Sequence, residues 1–263
     1  MKCKEIIECL EKLSPKKYAC DWDNVGLLVG RKEKNVKKIL TALDASTETV
    51  RAAVDQEADM LVTHHPMIFS SFKKVNEDNP TTEKILTLAE HGIAYYAMHT
   101  NFDTVGGMGE LAAGPEYLNL TDSRPLVFET DDIYGMGRGG NLPRPMTAAE
   151  VAEYVKEKFG LSFVMLYQDP SLSETIFEKM AVLPGSGKSE AELVKSLGYD
   201  LYLTGDYGHH PALDAMELGM TIIDATHYGL EHIFVPYIAD YLRSNCSDVE
   251  IIEFDSGCPV KII

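Results

Sequence analysis

Three things are scarce in this 263-residue chain: cysteine, basic charge and long apolar runs. Cysteine occurs five times, at Cys3, Cys9, Cys20, Cys246 and Cys258. The number is odd, all five lie near the termini, and no Cys-x-x-Cys pair occurs. That pattern argues against a disulfide framework or a structural zinc site. Lysine and arginine total 24 against 41 aspartates and glutamates, a formal net charge of -17. A surface of that sign repels nucleic acid and anionic membrane at long range. The densest basic cluster, Arg31 to Lys38, is interrupted by Glu33, Asn35 and Val36 and reads as a solvated turn. No stretch approaches the roughly 18 apolar residues of a membrane span. Residues 1–13 alternate charged with apolar side chains and lack the apolar core of a signal peptide. The expectation is a soluble, cytoplasmic protein without a membrane partner, with nucleic acid disfavoured as a partner.

What the chain does have is 45% hydrophobic residues, enough for a sizeable core in one large domain or two coupled ones. Residues 4–13 read as an amphipathic helix, 38–43 as a buried strand, 47–58 as a helix with Val50, Ala53 and Val54 on one face, and 59–63 as a strand. Residues 81–91 read as a helix ended by Gly92, and 93–98 as a strand. The second half repeats the order. Residues 179–183 read as a strand, and a capping box Ser189-x-x-Glu192 opens a helix to Leu197. Then come a strand at 200–204, a helix at 211–218 and a strand at 220–224. Helices between short apolar strands imply right-handed crossovers and mostly parallel sheets. The expected fold is therefore α/β, with two pseudo-repeated domains, 1–123 and 124–263. The middle differs: glycine-rich around residues 135–140, then Thr147-x-x-Glu150 capping a helix to Phe159.

Seven of the eight histidines lie in or beside polar clusters at expected strand ends or helix starts; His91 is the exception. In open α/β sheets, ligands bind beyond the carboxyl ends of the strands. His64 and His65 follow one strand, with Pro66 stiffening the turn; alone, the pair reads equally well as surface histidines. His99 and Asp103 follow another, and the bland alternative is a helix N-cap at Asp103 or Thr104. His227 and Glu231, four apart, share a face if residues 228–241 are helical, although a His-x-x-x-Glu spacing is common by chance. Together they supply three imidazoles and two carboxylates from three strand ends. That set suits two divalent ions with open positions, able to activate water at neutral pH. Zinc, iron, manganese, cobalt and nickel all tolerate it. Asp206, His209 and His210 close the equivalent strand of the second half, as supporting groups, proton donors or a helix start. Gly185-Ser186-Gly187-Lys188-Ser189 is similar to a phosphate-binding loop, but Val182 stands where the first glycine is needed.

The chain resembles the Nif-three-like family, also called GTP cyclohydrolase 1 type 2 homologues. The resemblance spans nearly the whole length. It rests on Asp21-Trp22-Asp23-Asn24-Val25-Gly26-Leu27, Val62-Thr63-His64-His65-Pro66-Met67-Ile68-Phe69 and His99-Thr100-Asn101-Phe102-Asp103. It continues through Gly137-Arg138-Gly139-Gly140, Gly185-Ser186-Gly187, Thr204-Gly205-Asp206 and Asp224-Ala225-Thr226-His227-Tyr228-Gly229-Leu230-Glu231. It implies a dinuclear metal centre on His64, His65, Asp103, His227 and Glu231, two interlinked α/β domains, and a homohexameric ring. One departure is the run Gly106-Gly107-Met108-Gly109-Glu110, where the family pattern is Gly-Gly-Val-Asn-Asp. The expected function is a metal-dependent hydrolase of a small cyclic or nucleotide-like molecule, with His99 and His210 as candidate proton-transfer residues. The alternative is a non-catalytic metal-binding regulatory or storage protein.

Overall fold

The computed structural model describes residues 1–127 and 134–263. Helix α1 (Cys3–Leu13) buries Cys3, Ile6, Cys9 and Leu10 along one stripe, the periodicity that its sequence announces. Strand β1 (Gly26–Val29) leads to β2 (Lys38–Asp44), α2 (Thr47–Asp55) and β3 (Met60–His65). Ser46 caps α2, its hydroxyl accepting the Thr49 N–H at 3.0 Å. Helix α3 (Pro80–Glu90) starts where the Asn79 side chain accepts from Thr81 and Pro80 supplies a preset first turn. Strand β4 (Ala94–Ala97) and the short α4 (Thr100–Thr104) follow.

The next segment begins with α5 (Met108–Ala113), β5 (Thr121–Val127) and β6 (Met136–Thr147). Helix α6 (Ala148–Phe159) carries the expected capping box, Thr147 and Glu150 each accepting from the other's backbone N–H. Strand β7 (Met165–Tyr167) precedes β8 (Ile176–Ser186), α7 (Ala191–Ser196), β9 (Leu201–Gly205), α8 (His209–Glu217), β10 (Thr221–Asp224) and α9 (His227–Glu231). The chain ends with α10 (Phe234–Asn245) and β11 (Glu250–Glu253).

The chain divides into two compact units, residues 1–106 with 234–257, and residues 107–233 with 258–263. The first unit holds a sheet ordered β1-β4-β3-β2-β11, in which only β1 runs antiparallel to its neighbour. Leu40, Ala42, Leu61, Tyr95 and Ala97 from its central strands form a core with Val50, Ala53 and Leu88. The second holds a sheet ordered β5-β6-β8-β9-β10-β7, parallel from β8 through β10 and antiparallel toward both edges. Each unit thus contains three consecutive parallel strands joined by helices, β2-α2-β3-α3-β4 and β8-α7-β9-α8-β10. This is the α/β pseudo-repeat.

Three expectations need correcting, and one pairing was not anticipated. The division does not fall near Ser123, which lies within β5, and residues 234–257 return to the first unit. Strand β11 lies parallel to β2, a pairing across some two hundred residues that no local pattern reports. The helix expected over 228–241 is two helices. Pro236 lacks an N–H and its ring would clash with the carbonyl of residue 232, so it is tolerated only in the first turn of a new helix. The Ser189 capping box does not form: residues 188–190 make a 3₁₀ turn, and the Ser189 hydroxyl donates to Glu190 at 3.0 Å. Among the described residues, no helix is long and apolar enough to cross a membrane.

Candidate metal centre

In the first unit, the donors gather at the carboxyl ends of parallel strands. His64 and His65 are the last two residues of β3, within the strand rather than after it. His64 is fully buried, and its Nδ1 lies 2.8 Å from the Met98 carbonyl. A carbonyl only accepts, so Nδ1 carries the proton and a neutral imidazole keeps its lone pair on Nε2. That Nε2 faces Asp103 Oδ1 at 3.5 Å. His65 Nδ1 donates to Asp44 Oδ1 at 2.8 Å, and Asp44 is its register partner at the end of β2. Neighbours on a strand point to opposite sides, yet the two rings are 4.8 Å apart. They converge because the strand ends at His65 and Pro66 turns the chain. The turn is held by Thr63 and Tyr95, whose hydroxyls donate to the His65 carbonyl at 2.8 and 3.0 Å.

His99 sits just before α4, and Asp103 lies inside that helix instead of capping it. The His99 Nδ1 is 3.0 Å from both oxygens of Asp23. Asp23 also accepts from the Thr100 N–H at 3.0 Å and the Thr100 hydroxyl at 2.6 Å. Burial alone would raise the Asp23 carboxyl, but the His99 and Thr100 contacts outweigh it and bring its pKa down to about 2. His64, His65 and His99 each offer a ring nitrogen, all within 4.8 Å of one another.

In the second unit, the loops after β9 and β10 are tied together by Asp224, which accepts from the Tyr207 and Thr226 N–H groups at 2.9 Å each. Two non-glycine residues here have positive φ, Asp206 at 52° and Thr226 at 64°. Thr226 combines that φ with ψ 161°, a region that only glycine occupies without strain. Its hydroxyl accepts the Gly229 N–H at 3.1 Å and so caps α9. His227 Nδ1 donates to Asp206 Oδ2 at 3.0 Å, and His227 Nε2 lies 3.0 Å from Glu231 Oε2. Asp206 therefore orients His227, and the position before α8 is taken by Gly208.

Two glycines make room for this pair. A Cβ on Gly205 would stand 2.6 Å from the His227 backbone nitrogen. One on Gly185, whose φ is +79°, would stand 2.8 Å from Glu231 Oε1. The loop that resembles a phosphate-binding loop spends its polar groups internally. The Gly187 N–H donates to the Thr204 hydroxyl, which donates to the Gly185 carbonyl, and the Tyr202 hydroxyl donates to the Gly187 carbonyl. His209 and His210 open α8 as exposed neighbours, rings 5.2 Å apart. His232 stacks on Tyr228 at 5.2 Å. In the departing run, Glu110 pairs with the buried guanidinium of Arg138 from the glycine-rich motif.

In both units an imidazole Nε2 thus faces a carboxylate oxygen. Such a pair repels unless a proton or cation lies between them. The donor chemistry fits a divalent ion of the kind held by mixed imidazole and carboxylate ligands. Each of the three imidazoles has its other nitrogen bonded to a carbonyl or carboxylate, the arrangement that fixes a metal-binding tautomer. Sequence reasoning gave no role to Asp23, Asp44 or Gly185. Asp44 had a usable signal, as the polar residue closing a buried strand; Asp23 and Gly185 lie within the motifs of the resemblance, but what they touch is visible only in the fold.

Comparison with known proteins gives the chain's family. The Duf34/NIF3 (NGG1p interacting factor 3) family model matches residues 1–259. A Clostridium perfringens protein named GTP cyclohydrolase 1 type 2 homolog is 34% identical over 257 residues, covering 96% of this chain and 95% of its own. A Lactococcus lactis protein of the same name is 35% identical, covering 96% of each. Among solved structures, reduced HcgD from Methanocaldococcus jannaschii superposes with a TM-score of 0.83 at 34% identity over 96% of this chain and 97% of that one. Staphylococcus aureus protein SA1388 gives 0.87 at 25% identity over 100% and 99%. Matched by the family model over residues 1–259 and by relatives 34% and 35% identical over 96% of its length, the chain belongs to the DUF34/NIF3 family.

Proposed function

We propose that the protein is a metal-dependent hydrolase of a small cyclic or nucleotide-like molecule. Its ligands for two divalent ions are His64, His65, Asp103, His227 and Glu231. The observation that carries this reading is the facing of imidazole Nε2 and carboxylate in each unit, at 3.5 Å for His64 with Asp103 and 3.0 Å for His227 with Glu231. Bound divalent ions polarise a carbonyl or phosphoryl oxygen and activate water at neutral pH. The shared name of the curated relatives, GTP cyclohydrolase 1 type 2 homolog, supports a ring-opening hydrolysis of a nucleotide-like substrate.

The chain's own proton-transfer group in this reading is His99. Asp23 holds its Nδ1–H, which leaves Nε2 to take and give a proton, and the carboxylate stabilises the imidazolium that results. His210, the other candidate, is exposed at the first turn of α8, and among the described residues no carboxylate orients it as Asp23 orients His99. The test is to restore each of zinc, iron, manganese, cobalt and nickel to stripped protein and screen hydrolysis of cyclic and nucleotide-like compounds. Turnover that tracks metal occupancy, and that falls in His99→Ala while metal content holds, is the expected result. A His64→Ala protein that loses metal but keeps the best activity overturns the hydrolase reading. Metal binding without turnover on any compound would leave a storage or regulatory protein. A cytoplasmic homohexamer belongs to the same proposal, and sedimentation equilibrium with cell fractionation reads both parts.

A further inference from the structure

Two of the most exposed large apolar side chains of the first unit stand against His99. Trp22 is 65% exposed and Phe69 is 55% exposed. Their ring centroids each lie 5.9 Å from that of His99, at interplanar angles of 75° and 84°. Neither ring owes its position to core burial. The residue after Trp22, Asp23, is anchored to His99 and Thr100. The Asn24 side chain donates to the Ile68 carbonyl at 2.7 Å, which ties the Trp22 segment to the segment carrying Phe69. Two separate stretches of chain are therefore held so that each presents an aromatic ring to water beside the same imidazole. Leaving such rings in solvent forgoes stabilisation that burial would bring, so the arrangement calls for an occupant.

We propose that Trp22 and Phe69 form a subsite for the planar heteroaromatic ring of a ligand, next to His99. The inference deepens the hydrolase reading and rests on it, since it names which part of the substrate lies at the proton-transfer group. A flat ring suits these residues because aromatic faces and edges attract one another through their quadrupoles, and stacking tolerates any heteroaromatic ring system. An aliphatic ligand or a sugar phosphate without an aromatic ring gains little there. Trp22 and Phe69 thus act as specificity-determining residues, while His99 remains the proton-transfer group.

Trp22 is the single tryptophan of the chain, so its fluorescence reports on this subsite alone. Full-length protein, metal-free and metal-loaded, is titrated with guanosine and adenosine as probes and with ribose 5-phosphate as the control without an aromatic ring. Saturable quenching by the nucleosides and none by ribose 5-phosphate is expected. Phe69→Ala should weaken nucleoside binding by about 10-fold or more. Phe72→Ala, an exposed aromatic on the same loop, should leave it unchanged. Quenching equal for nucleosides and ribose 5-phosphate, or no response to either, overturns the subsite. So does a tryptophan signal that follows protein concentration instead of ligand, which would mean that the rings dock against another copy. If metal binding and turnover stand while nucleosides fail to bind, only the subsite falls. If nucleosides quench Trp22 in a protein that binds no metal, the hydrolase reading falls and the subsite stands.

Discussion

The donors of the two units are positioned by different means. In the first, the sheet does the work. His64 and His65 end a strand buried between two parallel neighbours, His64 is fully buried, and their Nδ1 atoms are held by a backbone carbonyl and by the carboxylate that closes the adjacent strand. In the second, His227 and Glu231 ride on a five-residue helix that is a third exposed at its histidine. Such a short helix has little stability of its own. Its geometry is imposed by backbone in unusual conformations, with Thr226 and Asp206 at positive φ and Gly185 and Gly205 pressed against the pair. One donor set is secured by burial and the other by local backbone strain and close approach. Substitutions in the first should cost fold and metal together, and those in the second should cost metal with little loss of fold.

The largest effect is expected at His64. His64→Ala removes a buried ring, leaves the Met98 carbonyl without its donor, and should lower stability by about 2–4 kcal/mol with loss of bound metal. His227→Ala, at a partly exposed position, should lose metal with a stability change below about 1 kcal/mol. Paired chemical denaturation and metal analysis read both, and equal destabilisation by the two variants breaks the contrast.

A sharper version uses glycines. Gly185→Ala and Gly208→Ala both place a side chain at positive φ, +79° and +84°, but only Gly185 faces Glu231, while nothing lies within 4 Å of a Cβ at Gly208. Both should cost about 1 kcal/mol of stability or more. Gly185→Ala alone should weaken metal binding, by roughly 10- to 100-fold. Isothermal titration of stripped protein with zinc decides it, and equal affinities would remove Gly185 from any role at the site.

The Asp23–His99 pair gives a pH prediction. The folded carboxyl has a pKa of about 2, depressed from 3.8, so its stabilisation is fully present above the unfolded value and is lost as pH falls through the folded one. The shift corresponds to about 2 kcal/mol. Asp23→Asn should flatten the loss of stability between roughly pH 4 and pH 2, as followed by denaturant melts; an unchanged acid limb contradicts the assignment. The smallest effect is expected at Thr226. Thr226→Gly relieves strain and costs only part of the cap. Its stability should stay within about 1 kcal/mol of the native chain, and a larger loss would mean that the positive φ is not strained.

The contrast between the units also explains what the sequence made legible. Helices and strands of the pseudo-repeat follow from apolar periodicity, and Ser46, Asn79 and Thr147 mark helix starts by their own chemistry. His64, His65 and Asp103 could be read because they close or follow apolar strands. The antiparallel strand β6 was hidden, because Leu142-Pro143-Arg144-Pro145 looks like a loop and falls within a register shift against β8. The return of residues 234–257 to the first unit was hidden for want of any local signature, although Pro236 should have warned that the helix restarts. Asp23 and Gly185 act through neighbours distant in sequence, His99 and Glu231, so only the folded chain reveals them.

The central claim is that His64, His65, Asp103, His227 and Glu231 together hold two divalent ions. Its most direct test is metal content per chain, by elemental analysis of purified native protein and of His64→Ala and Glu231→Gln variants after reloading with zinc. The account predicts about two ions per chain for the native protein and fewer for each variant. Native protein that stays metal-free after reloading, or variants that bind as much metal as the native chain, would contradict it.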